Sequence, residues 1–243
     1  MNPTSAVWMS VDPLWEKNID ASPYSYCHGN PVMKVDVMGL DDYGVDDNGY
    51  IFFIKKTDSE KDRLIAGVKR RHIEKGKSPY EVNGELKSNK NNIEVSKGTL
   101  RETSKENKND LGGHLFIFKD EQEAKSLFEF MADNTTVEWS FFDLEYNGEK
   151  SFHVGTTHMW DREKCGASFL QRRLLTKKLK SSFHIHNHPK DIRVSFDENI
   201  APSDSDKNFA KKLEELCPQI HLSIYLNRSP NEKKINPYKS DNN

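Results

Sequence analysis

Ser182-Phe183-His184-Ile185-His186-Asn187-His188-Pro189 is the stretch from which the rest of the chain can be read. Its alternation predicts a short strand over Ser182–His188, ended by Pro189, which has no amide proton for a ladder. Side chains alternate along a strand, so His184, His186 and His188 share one face. Such a face packs a core poorly, because both nitrogens of every neutral ring need partners. It suits a divalent metal well, since imidazole is the commonest protein ligand for zinc. Any one histidine alone is most simply a satisfied surface or core side chain, and only the constellation points to a metal. His184 reads as structural or supporting rather than as a ligand.

A catalytic zinc takes three protein ligands and keeps one position open. Asp206 is placed to supply the third. Ser203 reads as the N-cap of a helix through Leu216, with Phe209, Leu213 and Leu216 on one face. Asp206 then lies in the first turn, facing whatever sits at the helix N-terminus. Water activated at such a centre needs a general base. Glu138, inside the otherwise apolar strand Thr136–Phe142, is the candidate, because a buried ionised carboxylate requires a partner.

Further out, Leu115–Phe118 predicts a strand and Glu121–Met131 a helix with Ala124, Leu127, Phe128 and Met131 on one face. Ser151–Thr156 predicts a strand, reached from the preceding one through a turn at Asn147-Gly148. Phe169–Lys180 predicts a basic helix whose charges are most simply a solvated face. Ile220–Leu226 alternates as a last strand. The interleaving of strands and helices gives an α+β (α/β) class, a mixed sheet flanked by helices. His153 and His158 read as incidental, and Cys165 and Cys217 as buried thiols.

Composition bounds the rest. Of 243 residues, Ile, Leu, Val and Phe contribute 55, only slightly above the ~20% below which disorder is the default. The expectation is one compact domain attached to something thinner. A net charge of -2 argues against a dedicated nucleic-acid binder. No apolar run reaches membrane-spanning length, and no signal peptide is read at the N-terminus. Cys27, Cys165 and Cys217 lie too far apart for a disulfide framework or a cysteine zinc knuckle. Residues 1–54 are acidic and rich in Pro and Gly. Asp47-Asn48-Gly49 marks a hairpin turn before the strand Tyr50–Ile54, and the polar residues up to Asp110 read as linker.

Glu138, His186-Asn187-His188-Pro189 and Pro202-Ser203-Asp204-Ser205-Asp206 resemble the E…HxHP…PSxxD signature of JAB/MPN (JAMM) zinc metallopeptidases, over about residues 112–230. The resemblance implies a zinc ion (Zn2+) on His186, His188 and Asp206, Glu138 as general base and Ser203 as the oxyanion-stabilising serine. Fourteen residues, Pro189 to Pro202, separate the second histidine from the serine where that family has about seven. They read as an inserted active-site loop, which offers Ser195 with Asp197 or Glu198 as an alternative to Ser203 and Asp206.

Ser10-Val11-Asp12-Pro13-Leu14 through Ser22-Pro23-Tyr24-Ser25-Tyr26-Cys27 to Asn30-Pro31-Val32 resembles the end of an RHS repeat-associated core. It departs at Asp36-Val37-Met38-Gly39, where that family has DPxG. RHS proteins are bacterial polymorphic toxins that carry a variable effector after the core. The expected organisation is an irregular RHS-core remnant at 1–45, a short hairpin and polar linker at 46–111, a JAB/MPN-like metalloprotease domain at 112–230 and a disordered tail at 231–243. The expected activity is zinc-dependent hydrolysis of a peptide or isopeptide bond, inside a target cell reached by delivery of a larger RHS protein. The expected partners are a protein substrate, a cognate immunity protein and the remainder of the RHS core, with neither membrane span nor nucleic acid. A metal-dependent nuclease toxin and a non-catalytic, metal-stabilised RHS tip are the alternatives.

Overall fold

Phe141 and Phe142 are neighbours on one strand, so the pleat sends their rings to opposite faces of a sheet, and each belongs to a different core. The computed structural model describes residues 41–56, 60–68, 81–82, 85–86, 92–100, 113–176, 179–189, 191, 193–227 and 233–240. Its strands are β1 (Asp41–Val45), β2 (Ile51–Lys56), β3 (Lys61–Ala66), β4 (Glu81–Val82), β5 (Glu85–Leu86) and β6 (Asn92–Ser96). They continue with β7 (His114–Phe118), β8 (Ser140–Tyr146), β9 (Glu149–Thr156), β10 (Phe183–Asn187), β11 (His221–Asn227) and β12 (Lys233–Tyr238). The helices are α1 (Glu121–Asn134), α2 (Cys165–Leu174), α3 (Phe196–Asn199) and α4 (Asp204–Leu216). This is the mixed α+β architecture expected from the sequence.

Six strands form the main sheet in the order β12-β11-β10-β8-β9-β7. Only β10 and β11 run parallel; the other pairs are antiparallel. The β8–β9 hairpin closes through Asn147 and Gly148, both at positive φ (53° and 85°), the backbone of a type I′ turn. On one face, Phe116, Phe141 and Val154 pack against Leu127, Phe128 and Met131 of α1. Asp120 caps that helix by accepting from the Glu123 amide. On the other face, Phe142, Leu144, Leu222 and Ile224 pack against Leu170 of α2 and Leu213 of α4. Helix α2 lies close to the sheet because two glycines meet there: a Cβ on Gly155 would sit 3.1 Å from the Gly166 backbone. The Glu163 carboxylate accepts from the Gly166 and Ala167 amides at 2.7 and 3.0 Å, so α2 begins at Cys165, earlier than its periodicity suggests.

The region expected to be linker is where the sequence reading fails. Strands β2-β1-β3-β6 form a second sheet, and β4 with β5 a two-stranded ribbon. Tyr43, Val45, Leu64, Val95 and Leu100 are buried in the same core as α1. Strands β3 and β6 hide one or two side chains each and turn polar residues outward, so averaged hydropathy conceals them. The buried Asp42 is answered by Arg63 at 2.9 Å, and the Asp62 carboxylate accepts from the Gly98 amide. The tail expected to be disordered likewise supplies an edge strand, Lys233–Tyr238, with Tyr238 buried. Glu138 precedes β8 rather than lying inside a strand. The RHS-like stretch, Cys27 included, lies outside the described residues, as do Lys177, Lys178 and residues 241–243.

Leu64 is fully buried in β3. Leu64→Ala should therefore lower the stability of the chain by about 2–5 kcal/mol, the cost of a core Leu truncation. A urea midpoint shifted to lower concentration with an unchanged slope would show it, whereas a linker leucine would leave the midpoint where it was.

Candidate metal centre

Strand β10 ends at Asn187, so His186 is its last side chain on the α2/α4 face and His188 follows just beyond the end. Across the gap, α4 begins. Ser203 is its N-cap: Ser203 Oγ accepts from the Asp206 amide at 3.2 Å, and Asp206 Oδ2 accepts from the Ser203 amide at 2.7 Å. This reciprocal capping box fixes the Asp206 carboxylate at the helix mouth, where it faces the histidines. Asp206 Oδ1 lies 3.2 Å from His186 Nε2, Asp206 Oδ2 lies 3.4 Å from His188 Nε2, and the two imidazole nitrogens are 3.3 Å apart.

Those separations test whether a metal fits. Ligands about 2.0–2.1 Å from a tetrahedral ion stand about 3.3 Å from one another. Two imidazole nitrogens and one carboxylate leave a fourth position open. Among the described residues, His186, His188 and Asp206 form the one His/Cys/Asp/Glu group able to hold a metal ion. Of the candidate third ligands, the structure brings Asp206 to the histidines. Ser195 caps the short α3 with Glu198 in an exposed capping box, and Asp197 pairs with Lys234 at 3.3 Å on the surface.

The insertion has a different task. His188 Nδ1–H donates to the Asn199 carbonyl at 2.6 Å, which leaves Nε2 directed at Asp206 and sets the tautomer a metal ligand needs. The Asn199 side chain spans the loop, accepting from the Asp191 amide and donating to the Pro189 carbonyl. From the edge strand β12, Asn236 donates to the Ile200 carbonyl at 3.1 Å.

Glu138 lines the same cavity, of about 960 Å³, as His186, His188, Ser203 and Asp206. Its neighbours are held from the histidine strand. Asn187, buried between the two ligands in sequence, accepts from the Trp139 amide at 2.6 Å and donates to the Val137 carbonyl at 3.3 Å. Sequence reading missed this asparagine, although it is the variable position of HxHP. An amide there can bond both ways to a backbone, and that is the signal that marks it.

The charges respond to this crowding. Burial opposes ionisation of Asp206, but hydrogen bonds from His186, His188 and Ser203 outweigh it and hold the carboxyl far below its ordinary range. Burial pushes the Glu138 carboxyl up to about 8; His188 offsets part of that rise, and the Asp206, Glu163 and Asp161 carboxylates add to it. Burial pushes His186 down despite Asp206. Burial also opposes charge on His188, yet Asp206, the Asn199 carbonyl and Glu138 together raise it.

The remaining histidines on this face lie outside that cluster. His184 is buried against Phe142 and Phe209, its ring centroid 5.9 Å from that of His186, and burial pushes it down to about 3. His153 stacks on Phe142, and burial pushes it down to about 4. Cys165 and Cys217 are buried, as expected, and Cys217 Sγ donates to the Ser181 carbonyl at 3.1 Å. The sequence reading also missed the cavity wall after β9, where Trp160, 68% exposed, lines the cleft beside Glu138.

Residues 116–211 match the JAB-like toxin 1 family. No curated protein and no solved structure matched the chain. The JAB-like toxin span runs from β7 into α4 and contains Glu138, both histidines, Ser203 and Asp206. No helix among the described residues is long and apolar enough to cross a membrane.

His186, His188 and Asp206 must each be deprotonated to hold a metal. Because Asp206 keeps His188 protonated above its ordinary range, protons compete with the metal there. Zinc titrated into the metal-free chain should bind more weakly as pH falls and should release protons on binding. Calorimetry in buffers of different ionisation enthalpy measures that release. Affinity independent of pH would contradict the placement of His188.

Proposed function

We propose that the domain carrying this centre is a zinc-dependent peptidase or isopeptidase, the effector part of an RHS-type polymorphic toxin. The observation that carries the reading is the convergence of His186 Nε2, His188 Nε2 and the Asp206 carboxylate at 3.2–3.4 Å in the cavity that Glu138 also lines. A zinc ion held by those three residues supplies Lewis-acid polarisation of a carbonyl and makes water acidic enough to deprotonate near neutral pH. The donor set, two imidazoles and one carboxylate with one position open, is that of a catalytic rather than a structural site.

Within that cleft Glu138 accepts the proton of the attacking water and delivers it to the departing amine as the C–N bond breaks. A carboxyl raised by burial takes a proton more readily than an exposed one, which suits the first of these transfers. Ser203 Oγ keeps its capping role through the lone pair that accepts from the Asp206 amide. Its hydroxyl hydrogen, which points to Asp206 Oδ2 at 2.7 Å, can turn to the oxygen where negative charge develops without losing the cap.

The similarity to JAB-like toxins and the RHS-like residues 10–39 together support an effector delivered into a target cell. The partners that follow are a protein substrate there, a cognate immunity protein in the producer and the remainder of the RHS chain. The near-balance of charge in residues 111–243, twenty acidic against nineteen basic, supports a protein rather than a nucleic-acid substrate.

Metal analysis of the purified chain, with peptide, isopeptide and nucleic-acid cleavage assays, tests the class. One zinc per chain with cleavage of amide bonds alone is the expected result, and nuclease activity would overturn it. Glu138→Gln should retain wild-type zinc stoichiometry while turnover falls by about 10²-fold or more, the scale of a lost general base. Unchanged turnover would remove Glu138 from the reaction.

A further inference from the structure

We propose that His158, which touches neither the metal ligands nor the cavity, is the positioning residue for Glu138, and that it works by fastening the Glu138 backbone to the β1–β2 hairpin turn. This rests on the reading of Glu138 as general base. Both main-chain groups of Glu138 are taken by the loop centred on His158. The Glu138 amide donates to the Met159 carbonyl at 2.9 Å. The Glu138 carbonyl accepts from Thr156 Oγ1 at 2.8 Å, and Thr156 Oγ1 in turn accepts from the His158 amide at 3.0 Å. Thr156, His158 and Met159 are thus the bed on which the base lies.

That bed has an uncommon shape. His158 adopts φ 58°, the left-handed region that side chains other than glycine pay to enter. Its ring shows what holds it there. Nδ1–H donates to the Asn48 carbonyl at 2.8 Å, Nε2 faces His114 Nδ1, and the ring stacks on Tyr50 with centroids 4.0 Å apart and planes 9° from parallel.

The partner of this ring is a rigid turn. Asp46 Oδ1 accepts from the Asn48 and Tyr50 amides at 3.0 and 2.9 Å. The Asp47 carbonyl accepts both Thr136 N–H (2.8 Å) and Thr136 Oγ1–H (2.9 Å), two residues before the base. Gly49, at φ 77°, lies so close that a Cβ there would stand 2.8 Å from the Trp139 ring. The turn therefore grips the base segment at Thr136 and Trp139 directly, and at Glu138 through His158. It lies outside the span that matches the toxin family. A base displaced by about 1 Å can cost 10²-fold in rate, so a clamp of this kind bears on turnover rather than on binding.

The test uses the full chain loaded with zinc, comparing His158→Ala and His158→Asn with wild type. Asparagine tolerates the left-handed backbone and still offers a donor towards the Asn48 carbonyl. Amide exchange followed by NMR is expected to accelerate about tenfold or more at Glu138 and Trp139 in His158→Ala, with no change at the β10 amides before Asn187, whose own amide bonds to Trp139. In the same variant kcat should fall about tenfold or more while KM and zinc per chain hold, and His158→Asn should recover most of the loss. Unchanged exchange at Glu138, or acceleration spread equally over β10, would overturn the clamp. A fall in zinc content parallel to kcat would also overturn it, because His158 would then serve the metal centre. Should Glu138→Gln remain fully active, the base assignment falls, and the exchange measurement still decides whether His158 holds that segment.

Discussion

The Asp206 carboxylate is the point on which the site depends. It belongs to the first turn of a helix, where the macrodipole favours negative charge, and the Ser203 cap fixes it there. The histidines it faces come from the end of a central strand held between β8 and β11. Removing the cap or the strand would leave the other partner buried and unpaired, a costlier state than never having formed the pair. The same geometry that makes the cluster electrostatically tight gives it the spacing a bound cation would need. Two imidazoles and a carboxylate crowded to 3.2–3.4 Å without an ion must share protons, and an ion would replace those protons with bonds.

His186, His188 and Asp206 were legible as one cluster because their chemistry leaves a local pattern. Alternation placed His184 and His186 on one face, and Ser203 with Asp206 three residues on is a cap readable from spacing alone. Alternation ends with the strand at Asn187. His188 lies beyond the strand, and its ring is aimed by the Asn199 carbonyl instead of by the pleat. No side-chain pattern can reveal a backbone carbonyl as an orienting group, so the role of the insertion was hidden in the sequence. It could be recognised only as an irregular length between His188 and Ser203.

The second sheet was illegible for another reason. Strands β3 and β6 each bury very little, and their outward faces carry Lys, Arg, Glu and Asn. What makes them strands is pairing at long range, Leu64 opposite Ile93 and Arg63 opposite Glu94, contacts no local window contains. Burial of Leu64, Val95 and Leu100 against the same layer as α1 makes this sheet part of the main core rather than an appendage. Ser96 adds a polar tie, its hydroxyl donating to Glu123 in the first turn of α1 at 2.9 Å.

The residues that converge on the cavity and the residues that aim them therefore come from different parts of the chain. Glu138, His186, His188 and Asp206 all lie within 116–211, the span shared with JAB-like toxins. Their supports reach beyond it on both sides. The Asp46–Tyr50 turn braces the Glu138 segment through Thr136 and His158. Strand β12 braces the insertion through Asn236, and the insertion in turn sets the tautomer of His188. A longer loop between the second histidine and the serine would ordinarily loosen a metal ligand, since each added residue costs ordering entropy. Here an edge strand holds the added loop, and the loop returns a hydrogen bond to the ligand. An insertion so anchored can stiffen a metal ligand instead of loosening it.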